Sequence, residues 1–190
     1  MSLSRRTFLH RTGLSGIGLL TFSVAGCQRE MTPAQARRSD VAFVVLSTTQ
    51  VAALERLGDA IVPGSAQDGL AHYIDHQLNA PADQCMLMIK YLGVPAPFTG
   101  FYQAGLAAAA KAAAELFQAP VEELDDSQSA SLISQISAGT IENWDVPPPE
   151  FFYFVLRSDA VDVSYGTKQG FAQLGIPYAA HIDPPTPWGE

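Results

Sequence analysis

The sequence predicts an all-α protein: a single compact multi-helix domain ending in an irregular segment rich in glycine, proline and aromatic residues. Three observations predict it. Apolar residues recur at spacings of three and four through several segments, which puts them on one face of a helix. Ser47-x-x-Gln50 and Asp125-x-x-Gln128 have the form of capping boxes, in which two side chains satisfy the unpaired N–H groups of a helix start. The stretch from Ala107 to Ala114 is alanine except for Lys111, and alanine is the strongest helix former. The helical domain so defined covers residues 47–190, preceded by a lead-in at 28–46 and a distinct opening stretch at 1–27.

In chain order, Gln28 to Asp40 is polar, holds Pro33 and lacks apolar periodicity, so it reads as a flexible tether. Val41 to Leu46 is a short apolar run that suits either a strand or a buried extended arm. The first helix begins at Ser47, places Val51, Leu54, Leu57 and Ile61 on one face, and ends at Pro63-Gly64. A second helix over residues 68–78 buries Leu70, Ile74 and Leu78. His72, Asp75 and His76 share another side of it at a spacing that metal ligands can use. Their plainer role is that of solvated side chains on a polar face. Residues 83–92 (DQCMLMIKYL) read as a third apolar helix, closed by Gly93 and Pro95.

A long helix over residues 99–117 carries the alanine run, which serves close internal packing or a docking face for another chain. The acidic loop 120–126 complements the start of a helix through Leu132, Ile133 and Ile136. Pro147-Pro148-Pro149 opens a further helix, where Phe151, Phe152, Phe154, Val155 and Leu156 surround most of the circumference. Such a helix is central in its domain or buried against another chain. The last segment carries Tyr165-Gly166, Phe171, Leu174-Gly175-Ile176-Pro177 and a proline-rich end with Trp188. Prolines lower the ordering entropy of binding, and a terminal tryptophan suits an anchor in a pocket. Phe151, Phe152, Tyr165, Gly166, Phe171, Pro177 and Trp188 are therefore the candidates for contact with a partner.

The formal charge of −8 argues against nucleic acid and anionic lipid as partners. There is no G-x-G-x-x-G after a strand, no P-loop and no C-x-x-C. Of the two cysteines, Cys85 stands alone in the main domain, and burial in the core is its expected fate.

The opening stretch has a different logic. Ser4-Arg5-Arg6-Thr7-Phe8-Leu9 is followed by a glycine-diluted apolar run and closes on Val24-Ala25-Gly26-Cys27. It resembles a bacterial twin-arginine (Tat) export signal, with Arg5, Arg6, Phe8 and Leu9 carrying the resemblance. No acid precedes Glu30, so the arginines are unopposed and hold this end on the cytoplasmic side. The apolar run is about 13 residues long, short of the roughly 20 that span a bilayer, so it is an address and not an anchor. The Val-Ala-Gly-Cys end resembles a lipoprotein processing site, with Cys27 acylated; cleavage by the ordinary signal peptidase is the rival. Either would leave the mature chain at −11, since removing residues 1–26 deletes Arg5, Arg6 and Arg11 and no acid. The Tat route carries cargo already folded, often around a cofactor. A chain with that label and no cofactor motif of its own points to a cofactor held by a partner.

The order of further motifs supports that reading. TTQVAALERLGDAIVPG, AHYIDHQL, FYQAGLAAAAKAAAELFQAPVEELDDSQSASLISQI, FFYFVLRSDAVD and SYGTKQGFAQLGIPY succeed one another over nearly the whole chain from residue 47 onward. Together they resemble the gluconate 2-dehydrogenase subunit 3 family, the small or gamma subunits. The resemblance implies a chain without catalytic residues, cofactor or metal of its own. Its partners would be a large FAD-containing flavoprotein of the glucose–methanol–choline type, a multihaem cytochrome c subunit in some complexes, and the Tat translocase during export. The complex would lie in the periplasm, held at the membrane through lipidated Cys27 or through the other subunits. The alternative is a solitary envelope lipoprotein, or a metal-binding protein using His72, Asp75 and His76, with His181 as a further ligand.

Overall fold

A computed structural model describes residues 19–24 and 26–176. Arg5, Arg6, Phe8 and Leu9 of the export motif, and Pro177, His181 and Trp188 of the tail, lie outside them. The described chain runs β1 (Leu20–Val24), β2 (Cys27–Met31), α1 (Pro33–Arg38), α2 (Thr48–Ile61), α3 (Leu70–Asn79), a 3-10 turn (Met88–Leu92), α4 (Thr99–Phe117), a second 3-10 turn (Val121–Glu123), α5 (Asp126–Ala138), α6 (Pro149–Tyr165) and α7 (Lys168–Gln173). Helices dominate, as expected from the apolar spacing and the caps. The β1–β2 hairpin is an addition that the sequence reading did not contain.

Both expected capping boxes form. Ser47 Oγ accepts from the Gln50 N–H while Gln50 Oε1 accepts from the Ser47 N–H, and Asp125 and Gln128 repeat the exchange. A third box, Thr32 with Gln35, starts α1. It overturns the reading of 28–40 as a flexible tether: residues 28–31 belong to β2 and residues 33–38 form a helix. Pro33 misled because it sits at the first helical position, where its missing N–H has no partner to lose. Arg37 then fastens α1 to the body. Its Nε donates to the Ala66 carbonyl at 2.6 Å, and its guanidinium pairs with Glu55 at 3.2 Å.

Residues 83–92 do not form the expected α-helix. Leu87 is extended, at φ −61° and ψ 143°, and only the short 3-10 turn follows. Four of the backbone groups here are satisfied by side chains, two from outside the segment and two by Lys90. Met86 N–H donates to Gln77 Oε1 and Met88 N–H to Asp159 Oδ1, each at 2.8 Å, while Lys90 Nζ donates to the Asp83 and Cys85 carbonyls. Tertiary partners thus replace the i→i−4 ladder. Cys85 is buried, as expected.

α6 packs against α2, α3, α4, α5, α7 and the first 3-10 turn. It is the central helix, and packing within the domain covers most of its aromatic circumference, Phe154 excepted. Phe152, Val155, Leu156, Ala160 and Val163 are all buried in the shared core. The alanine run lets α4 come close: Ala108, Ala109, Ala112 and Ala113 are buried, while Ala107, Ala110 and Ala114 face outward. At Gly105 there is no room for a methyl group, because a Cβ would overlap the Phe152 ring.

Gly69 caps the start of α3 at φ +90°, and a Cβ there would overlap the Pro33 carbonyl of α1. Gly64 has a similar φ of +92° with nothing within 4 Å of its would-be Cβ. Gly64→Ala is expected to lose only the left-handed strain, about 1 kcal/mol. Gly69→Ala adds the clash and should lose about 3 kcal/mol, lowering Tm by roughly 6–12 °C. Equal melting temperatures for the two variants would show that α1 does not press on α3.

Candidate functional site

Two polar constellations lie inside the helical body, and both are centred on acids whose roles the sequence did not reveal. The first is on α6. Asp159 is 0% exposed, accepts from the Tyr102 hydroxyl of α4 on Oδ2, and accepts from the Met88 N–H on Oδ1 at 2.8 Å. Burial pushes its carboxyl up to about 7, against the pull of those two hydrogen bonds. The same burial raises the hydroxyls of Tyr102 and of neighbouring Tyr73, whose OH donates to the Met86 carbonyl at 3.4 Å. A strongly shifted acid beside a tyrosine is the usual mark of a catalytic pair. Here both members are at 0% exposure, so no substrate reaches them in this arrangement. What the pair does is bind α4, α6 and the start of the first 3-10 turn into one unit.

The second constellation is the histidine–aspartate side of α3. His72 and Asp75 are buried at 6% and 5% exposure, which corrects their plainer reading as solvated side chains. Asp75 caps the loop before α2: Oδ2 accepts from the Val44 N–H and Oδ1 from the Val45 and Leu46 N–H groups, all at 2.8 Å. Val41 to Leu46 is therefore an arm without strand pairing, with Val41 and Leu46 buried at its two ends. His72 Nε2 lies 3.1 Å from the Val41 carbonyl and His76 Nε2 lies 3.2 Å from the Thr21 carbonyl of β1. Both contacts require the Nε2–H tautomer, because a carbonyl can only accept. Burial lowers the pKa of both rings, keeping them neutral. With both Nε2 atoms and both Asp75 oxygens engaged by backbone, only the two Nδ1 atoms remain unpartnered. Among the described residues, no group of three His, Cys, Asp or Glu is placed to hold a metal ion. The metal spacing on α3 is instead a clamp for the arm and the hairpin.

The candidates for partner contact fall into three groups. Phe152 is a core residue at 1% exposure, which corrects its assignment to a partner surface: it lies between Phe101 and Trp144 in the middle of the domain. Phe151 is half-buried with its ring edge on Phe101, and Tyr165, Gly166 and Phe171 are half-buried where α6 passes into α7. Pro177 and Trp188 lie outside the described residues. The structure adds Phe154, Leu174 and Ile176, exposed at 45%, 53% and 48%. Phe154 was legible as part of the aromatic circumference of α6; Leu174 and Ile176 were legible only as neighbours of Pro177. The proposed lipidation residue Cys27 is exposed, at the start of β2 beside the hairpin turn. No helix among the described residues is long and apolar enough to cross a membrane.

What these elements define is a small all-α domain whose buried acids and imidazoles are engaged by its own chain. Comparison with known families places it further. The sequence model for gluconate 2-dehydrogenase subunit 3 matches residues 48–181. The chain belongs to the gluconate 2-dehydrogenase subunit 3 family. No curated protein sequence and no solved structure matches it.

Proposed function

We propose that this chain is the non-catalytic small subunit of a periplasmic, FAD-dependent dehydrogenase of the glucose–methanol–choline type acting on a sugar or sugar acid. It stabilises the flavoprotein subunit and escorts it through Tat export. The observation that carries the reading is the family match, which spans the domain from α2 onward. Three further features support it. The twin-arginine opening stands on a domain with no nucleotide-binding motif of its own, so the prefolded cofactor belongs to the cargo partner. The two strongly polar interior sites serve the fold and leave no open acid–base pair there. The exposed Phe154, Leu174 and Ile176 with half-buried Tyr165 and Phe171 offer apolar contact for another chain. FAD, and haem where a cytochrome c subunit is present, reside in the partners. The membrane link runs through acylated Cys27 or through those subunits.

The test is co-purification. A tagged chain isolated from its native cell should bring down a yellow flavoprotein in fixed proportion, and the stable pair should bury well over 1,000 Å². Phe154→Asp should release the flavoprotein while the domain keeps its melting temperature. A tagged chain that elutes alone from active membranes would refute the reading.

A further inference from the structure

The hairpin is divided by the export motif in a telling place. The candidate processing site is the Gly26–Cys27 bond, and it lies at the turn: Val24 pairs with Cys27 and Gly26 has φ +79° in open space. All of β1 lies on the side that processing removes, and all of β2 on the side that stays. Yet β1 is built into the helical body. Its alternate residues Leu20 and Phe22 are buried at 6% and 7%, with Thr21 and Ser23 outward. The Phe22 ring sits 5.0 Å from the His76 ring, and the Thr21 carbonyl accepts from His76 Nε2. The strand also crosses open space on both flanks. A cleft of about 240 Å³ lies toward Val41, Val44 and His72, and another of about 430 Å³ toward Pro81, Gln84 and Met86; His76 and Asn79 line both.

We propose that the surface under β1 is a strand-acceptor groove, filled by the chain's own signal strand before processing and by an extended segment of the partner subunit afterwards. The export reading supplies the cut, and the groove itself is read from the seat of β1. Removing β1 leaves β2 as a lone strand with its pairing backbone groups free, beside the vacated seats of Leu20 and Phe22 and the His76 imidazole that donated to β1. That combination recognises an extended segment by adding it antiparallel to β2. The seat of β1 specifies the occupant: two large apolar side chains at alternate positions, an aromatic one over His76, and a backbone carbonyl between them for Nε2. Filling the slot with its own strand until export also covers the β2 backbone, which would otherwise be open to pairing with other chains.

A labelled peptide with the sequence of residues 19–24 is the probe. The intact full-length chain should not bind it, because the groove is full. Phe22→Ser in the full-length chain, which weakens the anchor, and Thr21→Pro, which breaks strand pairing, should each open the groove and bind the peptide at least tenfold more tightly than wild type. A peptide carrying serine in place of its phenylalanine should lose at least tenfold in affinity. In the co-purified complex of the processed chain the peptide should again fail to bind. Absence of binding by both opened variants while they remain helical would overturn the proposal. So would their dimerisation in place of peptide uptake, or undiminished peptide binding by the complex. The peptide arm involves no flavoprotein, so it reads the groove even where no complex can be isolated, and that second failure would fall on the subunit reading alone.

Discussion

Asp159→Ala is expected to destabilise the domain by about 3–5 kcal/mol. Truncation strands the buried Tyr102 hydroxyl and the part-buried Met88 N–H together, and opens a void between α4 and α6. Asp159→Asn removes the charge at nearly the same volume: the amide oxygen still accepts from the Met88 N–H, and the amide NH2 donates to the Tyr102 oxygen as a protonated carboxyl would. Its signature is a changed pH dependence. The folded-state pKa of Asp159 is raised from an ordinary 3.8 to about 7, so its protonated form stabilises the fold fully below about 3.8. That contribution is lost as pH rises from 3.8 to about 7, to the extent of about 4 kcal/mol. His72 and His76 act in the opposite sense: with folded pKa values lowered from 6.5, they remove stability as pH falls below 6.5. Both histidines are common to the two proteins, so the difference between asparagine variant and wild type isolates Asp159. Urea unfolding at pH 5 and pH 8 should show the variant gaining on wild type by more than 1 kcal/mol at the higher pH. An unchanged difference would mean that the carboxyl is ionised throughout and that its two donors outweigh burial.

Helices were legible wherever the chain carries its own punctuation. Ser47 with Gln50, Asp125 with Gln128, and the proline triplet before α6 each mark a boundary by a local hydrogen bond or a missing donor, and the structure keeps all three. Legibility failed where a distant group does the work. Residues 83–92 look like a helix until Gln77 and Asp159 take up their N–H groups, and neither side chain announces this in sequence. The α3 face shows the same limit more sharply. The spacing of His72, Asp75 and His76 was visible, but whether such a set meets metal, water or backbone depends on what is brought against it. Here the arm from Val41 to Leu46 and the strand β1 arrive from some 30 and 55 residues earlier in the chain. Burial of Phe152 followed a similar rule. Five large apolar residues around one helix demanded cover, and only the packing of the other helices on α6 shows that most of it comes from within the domain.

Arg5→Lys combined with Arg6→Lys is expected to remove most of the dehydrogenase activity from the envelope and strand it in the cytoplasm, by about tenfold or more. Lysine preserves both positive charges, so the unopposed basic end that fixes orientation is unchanged. What it removes is the planar guanidinium fork, whose paired donors a point-charge ammonium cannot reproduce. A loss of export would therefore report recognition of the arginines themselves and not of their charge. The two positions precede every residue matched by the family model, 48–181, so the domain should fold and bind its partner as before. That separates transport from assembly: the tagged double variant should still co-purify with the flavoprotein, now from the cytoplasmic fraction, and the complex should oxidise its substrate with an artificial electron acceptor. Activity that stays in the envelope would mean that the partner carries its own route out, leaving this chain as a stabilising subunit without the escort role. Activity lost from both fractions would place the arginines in assembly, because the flavoprotein would then fail before export and not at it.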